Sequence, residues 1–144
     1  MGIGHAGLRP VVSKSGFTLI ELLIVVVIIG ILASIALPRF GEARAQAHLT
    51  TISSDLRHLS QAQERYFAVA LEYSTSLEDL DFKTSVGVEI DVEAASTTGW
   101  SASGRHQALP GAQGCVVFLG DADSPDLPNG DPGPLAPGQV FCSR

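Results

Sequence analysis

Lys14-Ser15-Gly16-Phe17-Thr18-Leu19-Ile20-Glu21-Leu22-Leu23-Ile24-Val25-Val26-Val27-Ile28-Ile29-Gly30-Ile31-Leu32-Ala33-Ser34-Ile35-Ala36-Leu37-Pro38-Arg39-Phe40 is an apolar run holding a single carboxylate, Glu21. No other ionisable residue lies between Phe17 and Leu37. At a rise of 1.5 Å per residue, about 20 such residues match the roughly 30 Å hydrocarbon core of a bilayer, so the run predicts a membrane-spanning helix over residues 17–38. A carboxylate inside that span costs about 2.5–3.5 kcal/mol on insertion scales, and its presence calls for a partner or a task. An ordinary secretory signal would have a shorter apolar stretch and a small-x-small cut such as Ser34-Ile35-Ala36, with no acid near its start. A plain membrane anchor leaves Gly16 and Glu21 unexplained.

Downstream of Pro38 the pattern becomes amphipathic. Leu49, Ile52, Leu56, Leu59, Ala62, Tyr66 and Ala70 recur at three- and four-residue steps, while Arg44, His48, Asp55, Arg57, Gln61 and Glu64 fall mostly on the other face. No Gly or Pro interrupts residues 42–73. One long helix over about residues 18–72 is expected, with a bend near Pro38, whose ring crowds the preceding turn and whose nitrogen cannot donate to Ser34. Gly30 weakens the same stretch. Tyr66, Phe67 and Tyr73 are expected to pack in the core beneath the helix. The period then changes to two. Val86, Val88, Ile90 and Val92 alternate with Gly87, Glu89, Asp91 and Glu93, a half-buried strand with an acidic outer face. Residues 97–107, interrupted by Gly104, make a second strand; Cys115 to Leu119 is a short apolar central one; Val140-Phe141-Cys142 is a last edge strand. The fold class is therefore α+β, a helix carrying a small antiparallel sheet on its second half.

The 144 residues carry 9 Lys+Arg against 15 Asp+Glu, a net charge of −6. Such a surface repels nucleic-acid backbones, and Lys83, Arg105, His106 and Arg144 make too small a distal footprint for them. His5, His48, His58 and His106 are scattered without zinc spacing. Neither a reactive Cys-x-x-Cys, a Gly-x-Ser-x-Gly elbow nor a phosphate-cradling loop is present, so a non-enzymatic role is expected.

Gly16-Phe17-Thr18-Leu19-Ile20-Glu21-Leu22-Leu23, preceded by basic residues and followed by an unbroken apolar run, resembles the prepilin signature of type IV pilins and their pseudopilin relatives. The resemblance is strong over residues 14–40 and extends more loosely to about residue 80. It implies a leader of residues 1–16, a cut after Gly16 by a prepilin peptidase, and N-methylation of the exposed Phe17. Removal of Arg9 and Lys14 with that leader leaves seven basic against fifteen acidic side chains, a balance of −8. It further implies a lollipop: a transmembrane and filament-core helix over 17–38 and a head over 39–144, comprising amphipathic helix, loop, sheet and C-terminal loop. Glu21 would pair with the methylated Phe17 amine of a neighbouring subunit. The stretch between Gly30 and Pro38 would extend when subunits pack; alternatively both are ordinary membrane-helix residues. The implied partners are further copies in a helical filament, other pilins, the peptidase and an inner-membrane assembly platform. The implied location is the inner membrane with the head outside the cytoplasm, then a pilus or a periplasmic pseudopilus.

That topology exports Cys115 and Cys142, and an oxidising compartment favours pairing them, two free buried thiols being the alternative. The resemblance makes residues 115–142 a disulfide-bounded, surface-displayed region. Inside it, Asp121, Asp123 and Asp126 are candidate Ca²⁺ ligands, although the spacing departs from an EF-hand and the same residue types form ordinary turns. No other cofactor is expected. Three roles follow in order: a major or minor pilin, a pseudopilin of a type II secretion system, and a filament-tip adhesin or DNA-binding minor pilin.

Overall fold

The 52 residues Leu19–Ala70 form one helix, α1. Four strands follow: β1 (Val88–Ala95), β2 (Gly99–His106), β3 (Cys115–Gly120) and β4 (Phe141–Cys142). This computed structural model describes residues 16–133 and 136–143; the predicted leader ahead of Gly16, with His5, Arg9 and Lys14, and the terminal Arg144 lie outside the described residues. The helix and sheet confirm the α+β expectation. The helix runs through Gly30 and Pro38 unbroken.

The chain divides after Arg39 into two compact units. In the first, the large apolar residues of α1 from Leu19 to Leu37 are exposed around the whole circumference. By length and composition this part of the helix is able to cross a membrane.

The second unit has a core. Leu49, Ile52, Leu56, Leu59 and Ala62 of α1 pack against Val88, Ile90, Trp100, Ala102, Cys115 and Val117 of the sheet. Ala70, placed by periodicity on the same face, is exposed, because the helix ends there. Leu71 terminates it in the left-handed region, at φ 60°, its N–H donating to the Phe67 carbonyl at 2.9 Å. A side chain with a Cβ is disfavoured in that conformation, and Leu71 is 69% exposed, so its burial offers little in return. Leu71→Gly is expected to stabilise the protein by about 0.5–1 kcal/mol, read as a rise of a few degrees in the thermal midpoint. A lowered midpoint would assign the leucine a packing role that its exposure denies.

Two buried polar side chains of α1 hold the loop between helix and sheet. Gln63 imitates a strand: its Nε2 donates to the Ser74 carbonyl at 2.6 Å and its Oε1 accepts from the Ser74 N–H at 3.0 Å. The Asp55 carboxylate accepts from the Ser85 N–H at 2.7 Å and from its hydroxyl at 2.8 Å. The periodic pattern put Asp55 on the wet face. It is only 5% exposed, because the loop folds back over that flank and supplies donors to replace water. Tyr66 and Tyr73 pack on the core as expected, and Phe67 stacks on Tyr73 with ring centroids 4.7 Å apart. Burial of the Tyr73 phenol, with the Glu64 carboxylate beside it accepting its hydrogen bond at 3.2 Å, raises its pKa above the usual tyrosine value.

The sheet is antiparallel throughout, in the order β1-β2-β3-β4. Val86, expected within the first strand, precedes it and is 97% exposed; the turn at Gly87, with φ 80°, separates them. Gly104 does not break β2 but lies inside it. Cross-strand register aligns Ile90, Gly104, Cys115 and Cys142 in one row on the helix side, and Asp91, Ser103, Val116 and Phe141 in the neighbouring row on the outer face. Gly104 packs directly against the helix: a Cβ built there would stand 2.6 Å from Ile52 Cγ2.

Candidate assembly site

The start of α1 is built by three residues that pack on nothing. Gly16, Phe17 and Thr18 precede the helix and are exposed, Phe17 at 92%. Thr18 is the N-cap. Its hydroxyl accepts from the Glu21 N–H at 3.3 Å, and Glu21 returns the interaction: its Oε2 accepts from the Thr18 N–H at 2.8 Å and from the Thr18 hydroxyl at 2.7 Å. This is a capping box, in which helix-start donors without intrahelical partners are satisfied reciprocally. The Thr-x-x-Glu spacing ahead of an apolar run carries that signal, and it adds Thr18 to the residues read from sequence.

The geometry constrains what Glu21 does. Both bonds from Thr18 use one carboxylate oxygen, Oε2, which holds the negative charge at the Thr18 N–H and hydroxyl. The carboxylate is therefore held at the backbone of Thr18, the residue after Phe17, whose nitrogen becomes an amine if the chain is cut after Gly16. At Gly16 an added Cβ would meet nothing within 4 Å, so packing among the described residues does not demand glycine there.

The prokaryotic N-terminal methylation motif matches residues 12–37, which contain every residue of this site. Over a much longer stretch, 115 residues, the chain is 35% identical to the type IV wide pilus major component PilA4 of Thermus thermophilus, an alignment covering 77% of this chain and 84% of that protein. The chain belongs to the type IV pilin family. It is also 37% identical over 84 residues to the type IV major pilin protein PilA of Myxococcus xanthus, covering 58% of this chain and 38% of that protein. With the type II secretion system core protein G of Pseudomonas aeruginosa it shares 35% identity over 69 residues, 48% of this chain and 49% of the relative. The pilin thus spans less than half the length of the Myxococcus and Pseudomonas relatives.

The remaining candidates of this pilin lie elsewhere. Cys115 and Cys142 form a disulfide between directly opposed positions of β3 and β4, which settles the open pairing. The loop they bound lies on the outer face of the sheet, where Asp126 and Pro128 line a cleft with Asp91, Glu93, Ser103 and Arg105. The Arg105 guanidinium there stands 3.7 Å from Asp91. Asp121, Asp123 and Asp126 are exposed, and among the described residues no group of three or more His, Cys, Asp or Glu side chains is placed to hold a metal ion. The loop closes turns on itself instead, with the Leu127 N–H donating to the Asp131 carbonyl and the Asn129 amide to the Asp131 carboxylate. His48 and His106, scattered in sequence, come together with ring centroids 3.9 Å apart, because the end of β2 lies alongside α1.

Proposed function

We propose that this pilin is a structural subunit of a type IV pilus, cleaved after Gly16, methylated at Phe17, stored in the inner membrane through residues 17–38, and assembled by packing that helix among like helices. The observation that carries the reading is a carboxylate locked into the Thr18 cap, next in the chain to Phe17, at the head of a helix whose large apolar side chains are exposed. Moving such a helix from lipid into a bundle of equals keeps its surroundings apolar, so the transfer is nearly neutral in hydrophobic terms. The lone acid then favours the arrangement in which a cation answers it. The Phe17 amine of an adjacent subunit is that cation, and cutting the leader creates it. Prepilin peptidase, other pilins and the assembly platform are the partners this scheme requires.

Mass spectrometry of protein purified from its native membrane is expected to find Phe17 as the first residue, one methyl group heavier than the unmodified amine. Gly16→Leu is expected to keep the leader and its mass. A different first residue in the wild type would end this reading. The similarity to a type II secretion core protein favours a pseudopilus as the second reading. Immunogold labelling separates the two, since a pilus displays the head on extracellular fibres and a pseudopilus keeps it in the periplasm.

A further inference from the structure

The two sulfurs of the disulfide meet different surroundings. Cys115 is 0% exposed, its Sγ lying 3.5 Å from the Leu49 carbonyl oxygen in the core beneath α1. Cys142 stands on the two-residue edge strand, is half-buried, and lines an open groove of about 620 Å³ with Leu49, Ser53, Ser54, Arg57 and His58. Disulfides exchange by attack of a thiolate on one sulfur through a mixed disulfide, and access decides which sulfur is attacked. Approach to Cys115 requires parting helix from sheet. Approach to Cys142 does not.

The groove also selects by charge. In a protein of net charge −6, the described residues lining it include Arg57 and His58 but no carboxylate. An anionic thiol repelled by the rest of the surface meets a cationic stretch at this place. We propose that Cys142 is a thiol-exchange site for small anionic thiols, through which the C-terminal loop is S-thiolated and freed of its covalent tie. The thiolate attacks Cys142 Sγ and forms the new S–S bond; the electron pair of the old bond leaves on Cys115 Sγ, which takes a proton from solvent. The resulting Cys115 thiol has an acceptor waiting in the Leu49 carbonyl, the contact already present at 3.5 Å. A second thiolate then attacks the thiol's own sulfur in the mixed disulfide, giving the small-molecule disulfide and a Cys142 thiolate. Overall, two thiols are oxidised and one protein disulfide is reduced. The edge strand β4 pairs with the sheet at Cys115–Cys142 and Val116–Phe141 and is followed by Ser143, hydrogen-bonded to Gly114, so exchange removes the covalent tie and leaves these non-covalent ones to hold the chain end.

Full-length protein in detergent, incubated with graded reduced glutathione, quenched early with acid and N-ethylmaleimide and cleaved at aspartate to separate the two cysteines, reports the site. Glutathione is expected on Cys142 in at least about tenfold excess over Cys115, at a rate that rises with glutathione concentration. Arg57→Glu is expected to slow exchange with glutathione about threefold and to leave exchange with neutral 2-mercaptoethanol within about a factor of 1.5. Equal labelling of the two cysteines, preference for Cys115, or a rate independent of thiol concentration would overturn the proposal. So would an Arg57→Glu effect equal for the two thiols, which removes the charge selection.

Discussion

Glu21→Ala is expected to leave membrane insertion unchanged or improved and to reduce the filament fraction below detection. Loss of the carboxylate removes about 2.5–3.5 kcal/mol of insertion cost, while the N-cap survives because the Thr18 hydroxyl still accepts from the residue 21 N–H. On the proposed pairing, assembly loses the charge that answers the neighbouring amine, leaving a cation uncompensated among apolar helices, a penalty of several kcal/mol per subunit repeated along the filament. Glu21→Gln separates capping from charge. Glutamine at this position preserves the reciprocal cap with Thr18 but carries no charge. Alkaline extraction of membranes and immunoblots of sheared filaments measure the two steps. If Gln assembles like the wild type, capping alone is what Glu21 supplies and the amine pairing is wrong.

Gly104→Val is expected to destabilise the head strongly. The new Cβ would lie 2.6 Å from Ile52 Cγ2, with Leu56 Cδ1 at 3.7 Å and Ile90 Cγ1 at 3.6 Å, so α1 must lift off the sheet or the strand must shift. Overpacking of this kind costs about 3 kcal/mol, and for a unit of this size a midpoint lower by roughly 10 °C or more. Trp100, the only tryptophan of the chain and wholly buried in the same strand, reports the transition by fluorescence. Ile52→Ala should recover part of the loss when combined with Gly104→Val, since it removes the clashing methyl; the coupling would be about 1 kcal/mol or more. An unchanged midpoint in the single variant would mean that helix and sheet are not in contact at this row.

Much of this was legible in the residues themselves. The apolar run from Phe17 to Leu37, with its one acid, depends only on local composition, because a bilayer-length helix satisfies its own backbone and needs no tertiary partner. The change of period after Pro38 and the alternation from Val88 to Glu93 are likewise local signals, and they located α1 and β1 to within a few residues. Thr18 was present in the same register as a Thr-x-x-Glu signal, yet its role emerges only when the side chains are seen to bond back on each other.

Periodicity misplaced Asp55 for a definite reason. It reports which side of a helix is apolar, whereas burial of Asp55 comes from a serine thirty residues away whose N–H and hydroxyl replace water. Gln63 and Ser74, and the meeting of His48 with His106, are of the same kind. Composition and spacing alone determined the membrane-length helix, its charged start and the α+β class, since each rests on neighbours in the chain, while the candidate cut at Gly16 came from the resemblance to the prepilin signature. Tertiary structure alone decided that Cys115 and Cys142 oppose each other on neighbouring strands, that Gly104 packs directly against α1, and that Cys115 is fully buried while Cys142 lines an open groove. Those facts depend on strand register and on what the helix covers, which arise from contacts between residues far apart in sequence.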